Sequence, residues 1–214
     1  MTRIIFQQAP PASDGAFSLD PTSDGSAPRS KALRTDETDP PPRDLPAVSP
    51  LAGLTIRARE PEDCAAIAAL WELPRVRRGT LRLPYMSAAE VRKMMERTPD
   101  GHVSIVALLD GRLVGSAGLF PHKGRRSHAG EIGMCVHDDF HPRGIGARLL
   151  AALIDVADNW LNRRRLELGV YVDNTPAVRL YEKFGFTIEG TRRADAFRDG
   201  TFVDSFIMAR LRGV

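Results

Sequence analysis

The chain has 214 residues, enough for one domain with a full hydrophobic core, and its 43% apolar and 27% charged residues are ordinary for a globular protein. Its net charge of +3 is too small to favour a nucleic-acid-binding protein, because such proteins concentrate basic residues on one surface. Residues 1–11 contain only a short apolar patch, and no run approaches the roughly 18 apolar residues of a membrane span, so we expect a cytoplasmic protein without a membrane partner.

Proline is concentrated at the beginning of the chain. Of the 16 prolines, 9 lie in residues 1–50, among Ser, Asp, Thr and Gly, in runs such as DETDPPPRDLP. Segments of this composition bury too little apolar surface to offset the entropy lost on ordering. We therefore predict a disordered tail over residues 1–50 and one folded domain over residues 53–212.

Strand and helix signals begin directly after this tail. The segment LTIRAR, starting at Leu54, alternates apolar and polar residues as a half-buried strand does. Pro61 suits the first turn of a helix, which we expect to end at Pro74. Ser87 and Glu90 have the spacing of a capping box, and they predict the start of a second helix.

A hairpin is predicted in the middle of the chain. Two β-type runs, HVSIVALL and RLVGSAGLF, are separated by the dipeptide Asp110-Gly111. Asp-Gly between such runs is a strong signal for a two-residue turn. Residues 129–136, AGEIGMCV, predict a further strand that leads towards a glycine-rich segment.

The remaining elements alternate between helix and strand. Apolar spacing over residues 149–161 predicts a helix, and alternation over residues 164–172 predicts a strand. Residues 174–184 are predicted to form a short helix closed by Gly185, and a last strand pair turns at Asp199-Gly200. The order β-α-α-β-β-β-α-β-α-β-β indicates an α/β fold: a single domain with a mixed, mostly antiparallel central sheet flanked by helices on both faces.

The segment HPRGIGARLL, residues 141–150, sets Gly144 and Gly146 at the start of a helix. Such a turn directs backbone N–H groups and the positive end of the helix dipole at an anion. A Walker loop is excluded, because no Lys-Ser or Lys-Thr pair follows Gly146. A dinucleotide-binding loop is excluded, because its third glycine would fall at Leu149. Taken alone, the segment favours a tight turn that binds nothing.

The context of this turn changes that interpretation. The element order, the turn and the string NTPAVRLYEKFGF together resemble the GCN5-related N-acetyltransferase (GNAT) family, over about residues 53–212. The family signature is Gln/Arg-x-x-Gly-x-Gly/Ala, which Gly144 and Gly146 match and from which His141 departs. Longer strings, among them VDNTPA, FGFTIEGT and VDSFIMAR, resemble the bacterial L-amino-acid N-acetyltransferases.

The resemblance implies acetyl-CoA as co-substrate and a small amine, a free L-amino acid, as acceptor, with direct transfer in a ternary complex. It also implies a homodimer. Other acceptors stay open, since substrate loops diverge before the cofactor site does: a protein amine, a polyamine or an antibiotic. A coenzyme A-binding regulatory module without turnover is a further alternative.

The resemblance also assigns roles to individual residues. The turn would receive the pyrophosphate of coenzyme A, while strand 129–136 and Asn174 would bind the pantetheine arm and the thioester. The residues implied to bind the cofactor are Met134, Cys135, Val136, Pro142, Arg143, Gly144, Ile145, Gly146, Ala147, Arg148 and Asn174. Tyr181 would protonate the departing thiolate, and Glu131 would accept the proton of the amine.

Each of these roles has a structural alternative. Asn174 also suits a helix N-cap, and Tyr181 also suits a packed aromatic on an amphipathic helix. Asp173 and His128 are alternatives to Glu131 as the base. The cysteines, Cys64 and Cys135, and the histidines lack metal-ligand spacing, so we expect reduced thiols and no metal.

Substrate contacts are expected from the segment GTLRLPYMS and from the last hairpin around Phe197. Arg82 in that segment is a candidate to meet a carboxylate. Leu83 and Tyr85 would form an apolar wall with Thr80, or would merely cover the core.

Overall fold

A computed structural model of the protein describes residues 45–213. Most of the predicted tail, residues 1–44, lies outside the described residues. The last tail residues run along the domain surface, where Leu45 and Val48 pack against the core and the Ser49 carbonyl accepts a hydrogen bond from Arg148. The chain therefore contacts the domain several residues before the predicted boundary.

Seven strands within residues 45–213 form one sheet in the order β1-β2-β3-β4-β5-β7-β6. The strands are β1 (Leu54–Ala58), β2 (Val103–Leu109), β3 (Arg112–Pro121), β4 (Ala129–Val136), β5 (Arg165–Tyr171), β6 (Thr187–Arg198) and β7 (Thr201–Leu211). Strands β4 and β5 pair in parallel, and the other neighbouring strands pair antiparallel. The predicted mixed, mostly antiparallel sheet is confirmed.

Five α-helices accompany the sheet in this part of the chain. They are α1 (Cys64–Glu72), α2 (Pro74–Arg78), α3 (Ala88–Glu96), α4 (Ile145–Asp155) and α5 (Thr175–Lys183). The capping box of α3 is confirmed: the Glu90 N–H donates to the Ser87 hydroxyl at 3.2 Å, and the Ser87 N–H donates to the Glu90 carboxylate at 2.7 Å. Pro74 follows the end of α1 but also opens α2, because proline at a first helical position gives up no needed N–H group.

The helices lie on both faces of the sheet, as predicted. Helices α1 and α3 pack against one face around Ile67, Trp71 and Val106. Helices α4 and α5 pack against the other face. Val106 and Ala107 are consecutive residues of β2, so their side chains point to opposite faces of the sheet, and Ala107 belongs to this second cluster. We call these the α1 face and the α4 face. They bury two separate apolar clusters.

Both predicted Asp-Gly hairpin turns are confirmed. Asp110 and Gly111 have φ of 49° and 82°, and Asp199 and Gly200 have φ of 50° and 79°. Positive φ at both central residues matches the right-handed twist of the flanking strands, which fixes the register of each hairpin.

Helix α4 continues into a wider, π-helical segment, Val156–Trp160, where the apolar spacing predicts one uninterrupted helix. This segment holds Asp158 against β7. The Arg210 guanidinium donates two hydrogen bonds to the Asp158 carboxylate, at 2.9 and 2.8 Å, and both side chains are buried. The ion pair fixes the end of the helix to the sheet.

The central pair of strands separates partway along its length. Strands β4 and β5 are paired at three positions, which end at Glu131 opposite Glu167. Both strands continue beyond this point, β4 to Val136 and β5 to Tyr171, without pairing to each other. A gap therefore opens in the middle of the sheet, towards the turn that follows β4.

Candidate active site

The backbone of β4 forms one wall of this gap. Its pairing with β3 runs in continuous register from Gly130 to Val136, so successive side chains alternate between the two faces. Met134 and Val136 pack with the α4 face, while Cys135 packs with the α1 face, the side that Glu131 shares by alternation. The strand residues expected to bind the cofactor and the candidate base therefore lie at one gap.

The glycine-rich turn lies at the end where the strands have separated. Gly144 has φ of 75° and precedes the first residue of α4, a conformation that side chains other than glycine seldom adopt. Within residues 45–213, the N–H groups of residues 144–147 donate to no backbone carbonyl and to no side chain. Four amides and the positive end of the helix dipole thus converge at one place, as in an anion site.

Gly146 serves a different purpose from Gly144. A Cβ at Gly146 would lie 3.3 Å from both the Leu180 and the Met134 side chains. The glycine therefore lets the first turn of α4 approach β4 and α5 closely.

Polar side chains hold the turn in place. The Arg148 guanidinium donates to the carbonyl oxygens of Arg143, at 3.2 Å, and Gly144, at 2.9 Å. His141, which departs from the family signature, donates a ring N–H to the Val136 carbonyl oxygen at 2.9 Å. This bond connects the turn to the end of β4. The Arg143 guanidinium lies 5.3 Å from the Phe140 ring centroid.

Tyr181 on α5 is 7% exposed, and its ring centroid lies 5.9 Å from that of Phe186. Burial raises the pKa of the Tyr181 hydroxyl above its usual value, and the nearby Cys135 thiol adds to the rise. The hydroxyl is therefore protonated at neutral pH, the state that a general acid needs. It makes no hydrogen bond to another group in residues 45–213.

Asn174 is the N-cap of α5, where its side-chain oxygen accepts a hydrogen bond from the Ala177 N–H at 3.4 Å. The predicted cap is confirmed. The amide nitrogen of the same side chain faces the loop after α2, so that a Cβ at Gly79 would lie 3.6 Å from it. The cap thus uses the side-chain oxygen of Asn174, while the amide nitrogen lies beside Gly79.

Cys135 is a free thiol whose pKa burial raises to about 11, against the opposing effects of the Arg82 charge and a hydrogen bond with the Trp71 side chain. It is therefore a thiol and not a thiolate at neutral pH, which argues against a nucleophilic role. Cys64 is also free, and its sulfur lies 3.3 Å from that of Met95.

The three candidate bases differ in their surroundings. Glu131 lies at the vertex of the gap, opposite Glu167. Asp173 is hydrogen-bonded by Arg198, which lowers the pKa of its carboxyl and makes it a weaker base. His128 is exposed, before the paired beginning of β4. These surroundings favour Glu131 among the three.

Glu167 is a buried carboxylate that the sequence analysis missed. It contacts the Arg126 guanidinium, the Arg165 Nε at 3.4 Å and the His122 Nε2 at 3.4 Å. The signal was present: Leu166 and Leu168 alternate with Glu167, which places it on the opposite face from the apolar core. Its negative charge is compensated by Arg126 and Arg165, next to the candidate base, whereas burial lowers the pKa of His122 and leaves that imidazole neutral at neutral pH.

The segment after α2 and the last hairpin lie beside the gap on the α1 face. The Thr80 carbonyl oxygen accepts a hydrogen bond from the Tyr171 hydroxyl at 3.4 Å. Leu83 and Tyr85 are 76% and 90% exposed, so the alternative that they merely cover the core is wrong. Phe197 is 67% exposed, and its nearest ring neighbour is Phe202 rather than a residue of the gap.

Residues 45–213 contain no group of three or more His, Cys, Asp or Glu side chains placed to hold a metal ion. The described helices include none with the length and apolar character needed to span a bilayer.

Comparisons with known proteins agree with this geometry. The model of the acetyltransferase (GNAT) family matches residues 67–186. An L-amino acid N-acetyltransferase, AaaT, from Escherichia coli K12 is 37% identical over 163 residues, 76% of this chain and 100% of that protein.

Solved structures give the same result for the fold. A GNAT-family acetyltransferase from Streptococcus pneumoniae is similar with a TM-score of 0.65 and 27% identity, over 74% of this chain and 98% of that one. The spermidine N-acetyltransferase from Vibrio cholerae, solved with CoA and spermine, has a TM-score of 0.68 and 24% identity, over 76% of this chain and 97% of that one. The chain is therefore an N-acetyltransferase of the GNAT family.

Proposed function

We propose that this protein transfers the acetyl group of acetyl-CoA to the α-amine of a free L-amino acid, by direct attack in a ternary complex. The observation that carries the proposal is the gap between β4 and β5, with the turn at residues 141–147 at its open end and Tyr181 beside it. The match to the E. coli amino acid acetyltransferase over its whole length supports an amino acid as acceptor.

The residues around the gap fit coenzyme A. Acetyl-CoA would supply an acetyl group activated as a thioester. The N–H groups of residues 144–147 and the dipole of α4 would hold the pyrophosphate, with Arg143 adding positive charge and Arg148 bracing the turn. The backbone edge of residues 134–136, which is not paired with β5, would pair with the pantetheine arm, as an added strand pairs with a sheet edge.

The chemical steps are assigned to this chain's own groups. A backbone N–H of residues 134–136 would donate to the carbonyl oxygen of the thioester and so stabilise charge that develops there. The Asn174 amide nitrogen would donate nearby. Tyr181 would give its proton to the departing thiolate sulfur, and Glu131 would accept the proton of the ammonium group, directly or through a water.

The test is a turnover assay on the full chain. The protein is incubated with acetyl-CoA and one candidate amine at a time. The candidates are each of the amino acids found in proteins, polyamines and a lysine-containing peptide. Thiol release is followed, and the acetylated product is identified by mass spectrometry. We expect release with one or more amino acids, and a Tyr181→Phe variant serves as the control for enzyme-dependent transfer.

Two results would contradict the proposal. Release with polyamines or peptides and none with amino acids would overturn the substrate. Thermal stabilisation by coenzyme A without release for any amine would instead support a regulatory module.

The proposal extends to a homodimer in the cytoplasm. Phe197 and Phe202 are 67% and 70% exposed at the tip of the last hairpin, and their contact forms an apolar surface that a second copy would cover. Light scattering coupled to size-exclusion chromatography measures the oligomeric state, and a Phe197→Ser variant tests whether this surface is involved.

A further inference from the structure

The N-terminus of α2 is capped by a residue that lies far away in the chain. Pro74 has no N–H group, and Leu73, at the N-cap position, has no polar side-chain atom that could accept the next two. The N–H groups of Arg75 and Val76 donate instead to the two carboxylate oxygens of Asp138, at 2.8 and 3.2 Å. Asp138 is the second residue after β4, so one carboxylate ties the beginning of α2 to the end of that strand.

The other end of α2 is held by residues at the end of β5. The carbonyl oxygen of Arg78, the last residue of α2, accepts a hydrogen bond from Arg198, whose guanidinium also donates to the Asp173 carboxylate. Two residues later, the Thr80 carbonyl oxygen accepts the Tyr171 hydroxyl at 3.4 Å. Tyr171 is the last residue of β5, and Asp173 follows it closely. The end of α2 is therefore bound to the second wall of the gap.

Helix α2 thus spans the end of the gap where β4 and β5 are not paired. Its five residues extend about 7.5 Å along the helix axis. Paired strands lie about 4.8 Å apart, so two strands with room for one more chain between them lie about 9.6 Å apart. A helix of this length, with the side chain of Asp138 at one end and that of Tyr171 at the other, fits such a width. The buried side chain of Val76 fixes the helix to the α1 face.

The loop that follows α2, residues 79–87, is the segment from which contacts with the acceptor are expected. It is bound to α2 at its beginning, where the Thr80 hydroxyl donates to the Val76 carbonyl oxygen at 2.9 Å. Near its end it returns to α1, where the Met86 N–H donates to the Glu72 carboxylate at 3.0 Å. The position of this loop beside the gap therefore depends on the position of α2.

We propose that Asp138 is a positioning residue for acetyl transfer, which acts through α2 to fix the width of the gap and the place of the loop of residues 79–87. Direct attack needs the amine and the thioester carbonyl carbon within about 3–3.5 Å, and a misplacement of about 1 Å costs about 100-fold in rate. Asp138 joins the strand assigned to the thioester to the helix that carries the acceptor loop. The inference rests on the proposed role of the gap in acetyl transfer, and it holds for any amine acceptor.

The test separates this tie from simple capping of α2. Asp138→Ala removes both acceptors, and Asp139→Ala, at the neighbouring carboxylate with its side chain 77% exposed, removes the same charge from the same turn as a matched control. Leu73→Asp places a carboxylate at the N-cap, where it can accept the same N–H groups without any bond to the segment after β4. The full chain is assayed with acetyl-CoA and the amine that wild-type protein acetylates with the highest kcat/KM. Coenzyme A affinity and the thermal midpoint are measured on the same preparations.

We expect Asp138→Ala to lower kcat by about 10- to 100-fold relative to both wild type and Asp139→Ala, and to leave coenzyme A affinity within about 3-fold. The thermal midpoint of Asp138→Ala should fall by about 2–4 °C, the scale of a lost N-cap. When Asp138→Ala is combined with Leu73→Asp, the thermal midpoint should lie close to that of Leu73→Asp alone, because the helix is capped again. The kcat of this double variant should still lie about 10-fold or more below that of Leu73→Asp, because the tie to β4 is absent.

Three results would overturn the inference and leave the proposed function standing. One is a kcat for Asp138→Ala within about 2-fold of that for Asp139→Ala. Another is recovery of kcat together with the thermal midpoint in the double variant, which would reduce Asp138 to a helix cap. The third is a loss of coenzyme A affinity as large as the loss in kcat, which would mean that Asp138 acts on the glycine-rich turn. A wild-type protein that acetylates no amine would overturn the proposed function and this inference together.

Discussion

The Arg148 guanidinium lies 2.9 Å from the carbonyl oxygen of Gly144, four residues before it in the chain. This contact and the hydrogen bond to the Arg143 carbonyl oxygen hold two carbonyl oxygens of the turn on the arginine. The N–H groups of residues 144–147 donate to no carbonyl or side chain of residues 45–213. Carbonyl oxygens would repel a pyrophosphate, whereas amide protons attract one. Arg148 thus favours a conformation of the turn that suits an anion, although its own guanidinium is bonded to carbonyl oxygens of the protein.

Replacement of Gly144 by valine tests this turn. Gly144 has φ of 75°, and a β-branched side chain in the left-handed region costs at least about 1–2 kcal/mol. We expect Gly144→Val to weaken coenzyme A binding by about 10-fold or more, measured by isothermal titration calorimetry. Gly111→Val is the matched control, because Gly111 has φ of 82° in the β2–β3 hairpin and should lose stability without losing affinity. Equal affinities for the two variants would contradict the role of the turn.

Replacement of Tyr181 by phenylalanine separates catalysis from packing. The ring contact with Phe186 does not involve the hydroxyl, so Tyr181→Phe should fold normally and bind coenzyme A with unchanged affinity. Loss of a general acid should lower kcat by about 100-fold. Steady-state kinetics and titration calorimetry on the same preparation give both quantities. A kcat within about 2-fold of wild type would leave Tyr181 as a packed aromatic only.

The raised pKa of Tyr181 predicts the alkaline side of the pH profile. A free tyrosine loses its proton near pH 10, at about its ordinary pKa. Because burial raises the pKa of Tyr181, the protonated form persists to higher pH than in free tyrosine. We expect kcat at saturating substrate to show no decline from this residue between about pH 8 and pH 10. A fall in kcat in that interval that is absent from Tyr181→Phe would contradict the assignment.

The buried pair of Asp158 and Arg210 predicts a large effect on stability. Arg210→Met leaves the Asp158 carboxylate buried, with the Arg212 Nε, at 3.6 Å, as its remaining cationic neighbour among residues 45–213. We expect the free energy of unfolding to fall by about 3–5 kcal/mol, measured by urea denaturation. Asp158→Leu combined with Arg210→Met should recover most of this loss, because no charge stays buried. A double variant as unstable as the single one would mean that the pair specifies the packing itself.

Local features of the fold could be predicted because a few neighbouring residues determine them. The Asp110-Gly111 turn and the Ser87–Glu90 capping box each depend on residues at most three positions apart, and both are confirmed. Pro74 shows the limit of such signals. Pro74 follows the end of α1 and is also the first residue of α2. The sequence pattern does not distinguish a proline that only ends a helix from one that also begins the next helix.

Features that depend on distant pairings could not be predicted. The short pairing of β4 with β5 and the adjacency of β5 and β7 join residues that lie about 35–45 positions apart in the chain. The strand and the turn to which the resemblance assigns cofactor binding do lie around one gap. The stack of Arg82 on Trp71 has no local sequence signal, since a loop of irregular conformation brings the two together.

The gap between β4 and β5 also bears on aggregation. An open sheet ordinarily has two edge strands, and unpaired edges invite strands of other chains. The separation of β4 and β5 gives this sheet two further partial edges in the interior, with helices α4 and α5 on one side and α1 and α3 on the other. The helices on both faces of the sheet restrict the access of another polypeptide strand to these interior edges. The protein can therefore keep hydrogen-bonding edges unpaired for a ligand without exposing them to other proteins.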